Sequence, residues 1–518
     1  DQEEKEEKRQ TTVAVLSLGA ILFLTALDVT IISTAVPRIA DEFGSALGYT
    51  WVGSAYVLAH AAVVPVWGRM SDIFGRKPVV LAALAAFALG SLLCGVAVSM
   101  AMLLAGRAAQ GVGAGGVLTL VYVCISDLFL LRDRPFYFGV MGLVWVLASA
   151  IGPVLGGVFT GLLTWRWCFY INLPICAIGF IAIPLALKLD NHRTPLRQGL
   201  LAIDWIGSST VVGGTIVLLL GLELGSVTGR WNSPIVLGLV LSGVSLLGLA
   251  CVHFSLPRLT RTRYPLIPLS LFANRSNCAA FGVAFMHGFV LISASYWLPL
   301  YFQAVLGATA FQSGVYLLPY ALSLSLTSAA AGWAIRKTGS YLWLVISAMA
   351  VTVLGFGLLV DLSLEPTIPI KAILYQLVAG AGIGPNSQAT LIAIQTAIPP
   401  QETAAATSMF IFTRQMATAI SIVIGGAVFS SEMQRQSEAI AAAFGPGSDL
   451  ADMLSGRHAA ANAGRVAQLV GDEGDVAREA YSIALRHMRI VYAACAGAGL
   501  LLSVFIRHRR LSEEEPEH

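Results

Sequence analysis

The chain has 518 residues, of which 56% are hydrophobic and 12% are charged, and its mean hydropathy is +0.76. A soluble domain carries roughly 25% charged residues, so this composition excludes an ordinary soluble protein and indicates a chain that crosses a membrane many times. The formal net charge of +3 is small and dispersed, which argues against a nucleic-acid-binding surface.

The cysteines and the first residues add two expectations. The seven cysteines mostly fall inside apolar runs and lack the spacing of metal ligands or of a disulfide framework. We therefore expect them to be small packing residues, and we expect neither a metal nor a cofactor. The charged stretch that opens the chain lacks the basic-then-apolar order of a secretion signal, and we expect it to be a disordered tail.

Runs of roughly 20 apolar residues, the length of helix that crosses about 30 Å of hydrocarbon, define the predicted elements. The runs must be helical because lipid offers no partners to backbone amides and carbonyls. Fourteen spans are predicted, near residues 13–34, 49–67, 78–98, 101–125, 136–160, 167–187, 202–222, 233–254, 277–302, 312–335, 341–360, 371–396, 406–429 and 489–506.

The second half of the chain repeats the first. The charged segment Gly68–Lys77, between spans 2 and 3, has a weaker copy at Gly332–Gly339, between spans 10 and 11. Three glycines of span 4 recur with the same spacing in span 12; they are Gly111, Gly113 and Gly115, with copies Gly380, Gly382 and Gly384. A duplicated bundle explains both matches.

We therefore predict an all-α integral membrane protein made of two pseudo-symmetric six-helix bundles with two inserted helices. The predicted ranges are a cytoplasmic N-terminal tail at 1–12, an N-terminal bundle at 13–187, a linker with the inserted pair at 188–276, a C-terminal bundle at 277–508 and a cytoplasmic tail at 509–518. The C-terminal bundle includes an external loop at 430–488, which is either a partly helical cap or a flexible loop.

Basic residues in the short connections predict the orientation. The connections after even-numbered spans hold 14 lysines and arginines, whereas those after odd-numbered spans hold 4. Because basic residues are retained on the cytoplasmic side, both termini are predicted to be cytoplasmic.

Asp28 is the first candidate for chemistry. It stands about 15 residues into span 1, where a carboxylate costs on the order of 3 kcal/mol and by default marks a functional site. Arg107 in span 4 has nearly the same predicted depth, because the two spans run in opposite directions. An acid whose proton affinity rises in a dry cavity and falls beside an arginine can load and release a proton. The alternative is a static buried ion pair.

The charged segment Gly68–Lys77 is too polar for hydrocarbon and predicts a cytoplasmic hinge. Its arginines could simply be anchors of positive charge. A positive-charge anchor does not need the carboxylate of Asp72. A carboxylate beside the N-terminal end of span 13 could latch the two bundles together in one state. The predicted gating residues are Gly68, Arg69, Asp72, Gly75, Arg76 and, at the end of span 4, Asp127.

Glycines in spans 4 and 5 favour close helix packing. Gly111 to Gly116 match the G-x-G-x-x-G pattern of dinucleotide sites, but no strand precedes them, so that interpretation fails. In span 5, Pro153 removes a helix hydrogen bond and can bend a rocking helix, so packing and function are both open there. The residues concerned are Gly152, Pro153, Gly156 and Gly157.

Aromatic and amide side chains within the spans could line a cavity for a bulky, partly aromatic ligand, although most such residues pack between helices. The lone histidines His60 and His287 are more often packing residues than proton carriers. Arg414 is favoured because a buried arginine needs a partner. The substrate-binding candidates are Tyr56, Trp145, Tyr296, Trp297, Tyr316, Tyr320, Asn386, Gln388 and Arg414, with Gln395 and Gln415 as further members.

Together these residues resemble the major facilitator superfamily, and in particular its fourteen-span drug:proton antiporter branch. Gly68–Lys77 is similar to the family's motif between spans 2 and 3, Arg107–Gly111 to its proton-transfer motif in span 4, and Gly152–Gly157 to its antiporter motif in span 5. Span 1 resembles the family signature through Asp28 and its neighbours. The stretch Trp165–Pro174 looks most like fungal members, several of which export toxins and other secondary metabolites.

This resemblance implies alternating access with proton exchange, with Asp28 and Arg107 in coupling and with Asp72 and Arg76 in gating. The second half departs from the pattern, since Gly332–Gly339 contains no Asp. Proton chemistry is therefore expected in the first half.

We predict a proton-coupled exporter, not an enzyme, that moves hydrophobic or amphipathic small molecules such as a secondary metabolite, toxin or drug. Its expected partners are the substrate, protons and lipid, and we expect a monomer in the plasma membrane, with the vacuolar membrane as the alternative. A proton-coupled importer of a siderophore, amino acid or sugar is the rival within transport, and a membrane receptor or enzyme is the rival outside it. The sequence contains no Gly-Lys phosphate loop, which argues against ATP as the driving force.

Overall fold

The computed structural model describes residues 2–187, 194–256, 265–362, 369–445 and 448–511. Within these ranges the chain is helical and has fourteen helices of 15 residues or more. We label these helices α1 to α14 in chain order, and their bounds are Gln2–Ile31, Ala46–Phe74, Arg76–Gly95, Met100–Leu128, Arg134–Leu162, Asn172–Ala186, Trp205–Thr228, Pro234–Ser255, Arg275–Ala304, Ala310–Thr338, Leu342–Val360, Pro369–Gln395, Thr403–Arg435 and Asp472–Ser503.

Twelve helical stretches of the described chain, those of α1 to α11 and α13, are long and apolar enough to cross a membrane, where the stretch of α6 includes the short helix Trp167–Tyr170 that precedes it. The other two predicted spans fall on α12 and α14. Both helices pack among the twelve, α12 against α10 and α11 and α14 against α9 and α11. The all-helical membrane fold is confirmed, while the count of fourteen spans stays a prediction.

The helix contacts repeat between the two halves. Helices α2 and α3 pack on α4, as α10 and α11 pack on α12, and α1 packs on α5 as α9 packs on α13. Each half is therefore a bundle with the same internal arrangement. The inserted pair, α7 and α8, packs mainly on itself and touches α2 and α13 through α7.

The recurring glycines occupy equivalent contacts in the two bundles. A Cβ atom at Gly111 would meet the carbonyl of Tyr56 in α2, and one at Gly380 would meet the carbonyl of Tyr320 in α10. The two tyrosines are themselves equivalent, because they precede the repeated Gly68 and Gly332 by the same interval. The sequence repeat is thus a repeat of backbone-to-backbone helix packing.

The charged segment is a helix end rather than a ten-residue connection, so that expectation was wrong. Helix α2 continues to Phe74, and α3 begins at Arg76. Gly75 alone connects them, with φ of 89°, a backbone conformation that favours glycine. Gly68 is accommodated inside α2, and the charged residues of the segment lie on the last turns of α2 and the first turn of α3.

The N-terminal tail is also ordered, contrary to the sequence prediction. Helix α1 begins at Gln2 and continues through the charged stretch into the first apolar span. Glutamate, lysine and arginine are good helix formers, so the charged residues extend a helix that the apolar run has already nucleated.

The predicted external loop is largely helical, which favours the cap over the flexible loop. Three short helices, Ser437–Phe444, Asp449–Leu454 and Ala463–Val466, follow α13. Helix α14 begins at Asp472, well before the predicted span at 489–506, because its polar first half packs through buried side chains such as Tyr481. The Tyr481 hydroxyl donates a hydrogen bond to the carbonyl of Ala459 at 2.5 Å.

The connection after α1 is tied to the connection after α5. Trp165 Nε1 and Arg166 Nη2 donate hydrogen bonds to the carboxylate of Glu42 at 2.6 and 3.0 Å. The bond from Trp165, followed by the bond and charge of Arg166, holds the pKa of Glu42 below its ordinary value of 4.5. This contact joins two connections at the end of the N-terminal bundle opposite the charged segment.

The two bundles meet at the end that carries the charged segment. Arg336 Nε lies 2.6 Å from Asp133 Oδ1, and Arg134 Nη1 donates to Gln395 Oε1 at 3.0 Å. Gln395 Nε2 in turn donates to Ser126 Oγ at 3.0 Å. All three contacts join one bundle to the other.

Glycines bring the same ends into close approach. A Cβ at Gly68 in α2 would clash with Ser408 in α13, and one at Gly139 in α5 would lie 3.2 Å from the Cα of Ala329 in α10. At the opposite end of α10, the Phe311 side chain is 81% exposed. The structure is therefore closed at the charged end, where the C-terminal residues also pack.

Candidate functional site

Asp28 and Arg107 form an ion pair inside the N-terminal bundle. Arg107 Nη1 lies 2.6 Å from Asp28 Oδ2, and each side chain is only 1% exposed. Helix α1 supplies the acid from within its apolar run, and α4 supplies the arginine two turns after its first residue, Met100. The predicted match in depth is therefore a direct contact.

Neutral side chains complete the environment of the acid. Gln110 Nε2 and Asn172 Nδ2 donate hydrogen bonds to Asp28 Oδ1 at 3.0 and 2.9 Å. Both amides also donate to Ser91 Oγ in α3, at 2.7 and 3.1 Å. The ionised carboxylate thus accepts three hydrogen bonds, one of them from a charged donor.

Arg107 also makes hydrogen bonds to groups other than Asp28. Its Nε donates to the carbonyl of Val52 at 3.1 Å, and its Nη1 also donates to Gln110 Oε1 at 2.9 Å. The guanidinium lies over the ring of Tyr56, 4.4 Å from the centroid. Tyr56, a predicted substrate-binding residue, therefore contacts the ion pair.

The ion pair can exist in two forms, one with Asp28 ionised and one with Asp28 protonated. Protonation of Asp28 would remove the negative charge that balances Arg107 and would turn one acceptor oxygen into a hydroxyl donor. The pair would then lose most of its attraction, and α1 and α4 could separate. A buried pair of this kind can act as a two-state element because neither partner tolerates being left alone in a dry site.

A second charged cluster lies at the junction of α2 and α3. Asp72 receives Arg69 Nη1 at 3.0 Å on one oxygen and Arg76 Nη1 at 2.6 Å on the other. Arg76 Nε reaches Asp127 Oδ2 at the end of α4, at 2.6 Å, as the sequence predicts. Both oxygens of Asp72 are thus used within its own bundle, and the contact of this cluster with α13 is made by Gly68.

Arg69 extends the cluster toward the inserted pair. Its Nε donates to the carbonyl of Pro265 at 2.7 Å, in the connection that follows α8. Nearby, Asp204 caps α7 by accepting from the Gly207 amide at 2.8 Å, and it pairs with His253 Nε2 of α8 at 3.0 Å. The junction therefore binds both the N-terminal bundle and the chain that leads out of the inserted pair.

The motif glycines in α5 differ in their surroundings. A Cβ at Gly152 would clash with Thr30, and one at Gly156 would clash with the carbonyl of Ile31, both in α1. A Cβ at Gly157 would meet nothing within 4 Å. Pro153 lies inside α5 and leaves the helix continuous through Leu162.

Two of the aromatic substrate candidates are core residues of the C-terminal bundle. Trp297 Nε1 donates a hydrogen bond to the Tyr492 hydroxyl at 3.2 Å, and the Tyr320 hydroxyl donates to the Leu291 carbonyl at 2.9 Å. Both side chains are buried. Their polar atoms are thus used between helices of one bundle.

The other aromatic candidates are divided between the two bundles, and Tyr296 packs edge-on against Trp297, with ring centroids 5.0 Å apart. Tyr316 packs edge-on against Phe302, with ring centroids 5.5 Å apart, and the side chain of Tyr296 is 53% exposed. Trp145 of α5 is partly buried against Leu27 and its neighbours in the N-terminal bundle. Four aromatic candidates thus lie in the C-terminal bundle, and Tyr56 and Trp145 lie in the N-terminal bundle.

The polar candidates Asn386, Gln388 and Arg414 belong to the C-terminal bundle, and Gln388 lies at the seam between the bundles. Asn386 and Gln388 of α12 are buried, and Gln388 Nε2 donates to Ser328 Oγ of α10 at 2.8 Å. A Cβ at Gly142 of α5, in the other bundle, would lie 3.7 Å from Gln388 Nε2. Arg414 of α13 is half-buried in the same bundle as the two amides.

Two polar positions carry contacts that the sequence analysis did not assign. Asn172 shares the acid with Arg107, and Glu223 of α7 accepts a hydrogen bond from Ser54 of α2 at 2.6 Å. The signal available for Glu223 was a single acid near the end of a predicted span. Nothing in the sequence indicates that Asn172 faces Asp28, because the rotation of a helix about its axis is set by packing.

Two repeated helical bundles that contact each other at a charged end, one of them with a buried acid–arginine pair inside it, are typical of polytopic membrane transporters. The family model described as Major Facilitator Superfamily matches residues 18–200 and 194–422. The chain belongs to this family and is a transporter, not an enzyme.

Relatives and solved structures agree with this assignment. The efflux pump dotC of Dothistroma septosporum is 45% identical over 500 residues, which cover 96% of this chain and 85% of that protein. The MFS-type transporter ppz2 of Metarhizium majus is 41% identical over 515 residues, which cover 99% and 87%. The proton:xylose symporter XylE matches with a TM-score of 0.59 at 13% identity and covers 97% of each chain, which shows the shared fold.

Proposed function

We propose that the protein exports hydrophobic or amphipathic small molecules, such as secondary metabolites or toxins, in exchange for protons. The observation that carries the proposal is the buried Asp28–Arg107 pair, because a titratable acid at this depth is costly unless it is used. The 45% identity to a protein named an efflux pump supports the direction of transport.

Asp28 is the proton site in this proposal, and Arg107 is the group that competes with the proton. When Asp28 is ionised, Arg107, Gln110 and Asn172 hold α1, α4 and α6 together. When it is protonated, the attraction to Arg107 weakens and the bundle can adopt its alternative packing. Substrate and proton then use the central path in alternation.

The charged cluster at the α2–α3 junction acts as the gate. Asp72, Arg69 and Arg76 lie at the end where the bundles are in contact, and their ion pairs fix the α2–α3 junction, so that Gly68 of α2 is positioned against Ser408 of α13. We place the protein in the plasma membrane with both termini in the cytoplasm. The charged end then faces the cytoplasm. The structure then represents the state that is closed toward the cytoplasm.

The direction of proton coupling is the decisive test. Purified protein is reconstituted in liposomes that contain the pH dye pyranine, and a hydrophobic aromatic amide is added outside. In antiport, substrate that enters drives protons out, so the lumen becomes more alkaline. In symport, protons enter with the substrate and the lumen becomes more acidic.

Protein-free liposomes give the passive contribution, and Asp28→Asn protein gives the uncoupled control. Alkalinisation that needs both the protein and Asp28 supports the exporter. Acidification would favour the importer instead, and substrate entry without any change in lumenal pH would remove proton coupling from the proposal.

A further inference from the structure

Arg414 carries a positive charge within the span of α13 and has no ionic partner. Among the described residues, no side chain or carbonyl lies within hydrogen-bond or salt-bridge distance of its guanidinium, which only approaches the ring of Phe410, 5.4 Å from the centroid. The titratable groups within electrostatic reach there are the Tyr122 hydroxyl and the His287 ring. Neither group is an anion near neutral pH.

This isolation of the half-buried Arg414 contrasts with the surroundings of two fully buried arginines, Arg107 and Arg489. Arg107 is neutralised by Asp28, and Arg489 donates from Nη1 to the carbonyls of Leu359 and Leu362, both at 3.3 Å. A charge within a span costs on the order of 3 kcal/mol, so an arginine without a counter-ion there needs an explanation.

Hydrogen-bonding groups without partners lie on the helices around it. In the part of the chain that the structure describes, His287 Nδ1, both amide atoms of Asn386 and Gln388 Oε1 are buried and have no hydrogen-bond partner. The backbone of Arg414 packs on Gly288, the residue after His287, and His287 Nε2 bonds the carbonyl of Ile383, one turn before Asn386. Buried polar groups are normally paired, so four orphaned atoms in one region indicate a site that is completed by a ligand.

Arg414 and His287 lie near the middle of the apolar stretches of their helices. Arg414 is 11 residues after the start of α13, or about 16 Å along the helix, and His287 is 12 residues into α9, or about 18 Å. A helical arginine leans toward the N-terminus of its helix, here toward the closed end, where Tyr122 of α4 stands in the other bundle. Gln388 approaches the same seam opposite Gly142.

We infer that the transported molecule carries an acidic group that is ionised at neutral pH, a carboxylate, an enolate or an acidic phenol, and that Arg414 is its counter-ion. The inference rests on the proposed function. The guanidinium binds the anionic oxygens by charge-assisted hydrogen bonds, and the free amide atoms of Asn386 and Gln388 bind neighbouring polar groups of the same molecule. The two amides are reached when the bundles separate at the charged end. The Asp28–Arg107 pair is distinct from this site, because it lies nearer the opposite end of the membrane.

The test uses three probes of similar size that differ in charge: 2-naphthoate, 2-naphthamide and 2-naphthylmethylammonium. Their dissociation constants are measured on purified protein in detergent from the ligand-dependent rise in melting temperature. The variants are Arg414→Gln, which removes the charge, and Arg414→Lys, which keeps it. Arg435→Gln is the control, since Arg435 lies at the far end of α13 and its side chain is 72% exposed.

We expect wild-type protein to prefer 2-naphthoate, and Arg414→Gln to weaken 2-naphthoate binding by about tenfold or more with little change for 2-naphthamide. Arg414→Lys should retain most of the preference, and Arg435→Gln should retain all of it. Unchanged naphthoate binding in Arg414→Gln, or a wild-type preference for the ammonium probe, would overturn the inference. If Arg414→Gln does not fold, the preference of wild-type protein among the three probes, and its retention in Arg414→Lys, still test the inference.

Binding in detergent does not depend on proton coupling. An anion preference that depends on Arg414, together with no proton movement in liposomes, would therefore leave the inference standing and remove the proposed antiport. Proton movement in liposomes, together with no anion preference that depends on Arg414, would remove the inference and leave the proposed antiport standing.

Discussion

Arg107 keeps its charge at a site where 1% of its side chain is exposed, and Asp28 makes that arrangement tolerable. The value of such a pair is not its net stability, because the cost of removing two charges from water roughly cancels their attraction. Its value is that either charge alone is strongly disfavoured. A single proton on Asp28 therefore changes the energy of the whole environment.

This argument predicts a difference between removing one charge and removing both. Asp28→Asn leaves Arg107 buried without a counter-ion, which costs roughly 3–5 kcal/mol of stability and lowers the melting temperature. Asp28→Asn combined with Arg107→Gln leaves no buried charge and should be more stable than the single variant. Both proteins should lose proton coupling in the pyranine assay.

Scanning fluorimetry of the purified variants measures the stability difference. The matched control is Glu223→Gln, which neutralises an intramembrane acid that accepts a hydrogen bond from Ser54 and has no arginine partner among the described residues. A double variant that is less stable than Asp28→Asn would contradict the charge argument, and export that stays coupled in either variant would exclude Asp28 as the proton site.

The contact between Asp28 and Arg107 could be predicted because helix rise and direction fix depth, and two charges at one depth in an apolar bundle must find each other. Gln110 and Asn172 could not be assigned in this way. Each is one polar residue among several, and the hydrogen bonds they make depend on how α4 and α6 are rotated. For the same reason the sequence could not tell which aromatic candidates pack in a bundle core, as Trp297 and Tyr320 do, since an aromatic side chain packs equally well on any face of a helix.

Asp72 gives a second prediction at the scale of one residue. Its two oxygens join Arg69 to Arg76, so Asp72→Ala releases both arginines at the end where the bundles close. We expect the maximal rate of transport to fall about tenfold, equivalent to about 1.4 kcal/mol in the closing step, with little change in probe affinity.

Initial rates over a range of probe concentrations separate the two parameters. Asp452→Ala is the control, because Asp452 is an exposed acid in the segment between α13 and α14. A normal rate with an altered affinity would show that Asp72 shapes the binding site and is not part of the gate.

At the scale of the helices, α5 offers a comparison within one motif. Gly156 faces α1, where a Cβ would clash with the Ile31 carbonyl and the Thr34 hydroxyl, whereas Gly157 is exposed and a Cβ there meets nothing. Gly156→Ala should cost about 1–3 kcal/mol because the backbones must separate. Gly157→Ala should be neutral or stabilise by up to about 1 kcal/mol, since alanine favours a helix.

Melting temperatures and transport rates of the two variants test this prediction directly. Equal loss of transport in both would mean that the motif acts through flexibility of α5 and not through contact with α1. Equal stability of both would mean that α1 and α5 can move apart without cost.

Sequence patterns predicted helix ends well where an apolar run stops and poorly where a helix continues into polar sequence. Apolar runs have sharp limits because lipid penalises every polar backbone group, which is why the bounds of α9 and α11 lie close to the predictions. Polar sequence imposes no such limit. Helices α1, α2 and α14 therefore continue through charged residues that the analysis assigned to a tail, a hinge and a loop.

At the scale of the whole molecule, the two bundles share packing but differ in chemistry. Arg107 lies one helical turn before Gly111 in α4, and the buried Gln376 lies one turn before the repeated Gly380 in α12, where the second bundle would need its arginine. When Gly156 and Gly157 of α5 are aligned with Gly425 and Gly426 of α13, Arg414 falls at the position that corresponds to Trp145. The acid–arginine pair therefore lies in one half and an arginine without an ionic partner lies in the other, as expected if the proposed proton site and the proposed substrate site are separate.

Rocking of the bundles gives the last prediction. A Cβ at Gly139 of α5 would lie 3.2 Å from the Cα of Ala329 in α10, close enough for a disulfide between cysteines at the two positions. In a background without the seven native cysteines, Gly139→Cys with Ala329→Cys should form this bond and hold the charged end closed. Transport should then fall under oxidation and return on reduction.

Each single cysteine variant controls for the substitution, and mass spectrometry of the oxidised protein measures how much of it is bridged. Alternating access requires the charged end to open once in each cycle, so the residual rate should equal the unbridged fraction. Fully bridged protein that transports at the reduced rate would show that substrate moves without separation of α5 and α10, and the rocking of the two bundles would have to be replaced by a local rearrangement around Asp28.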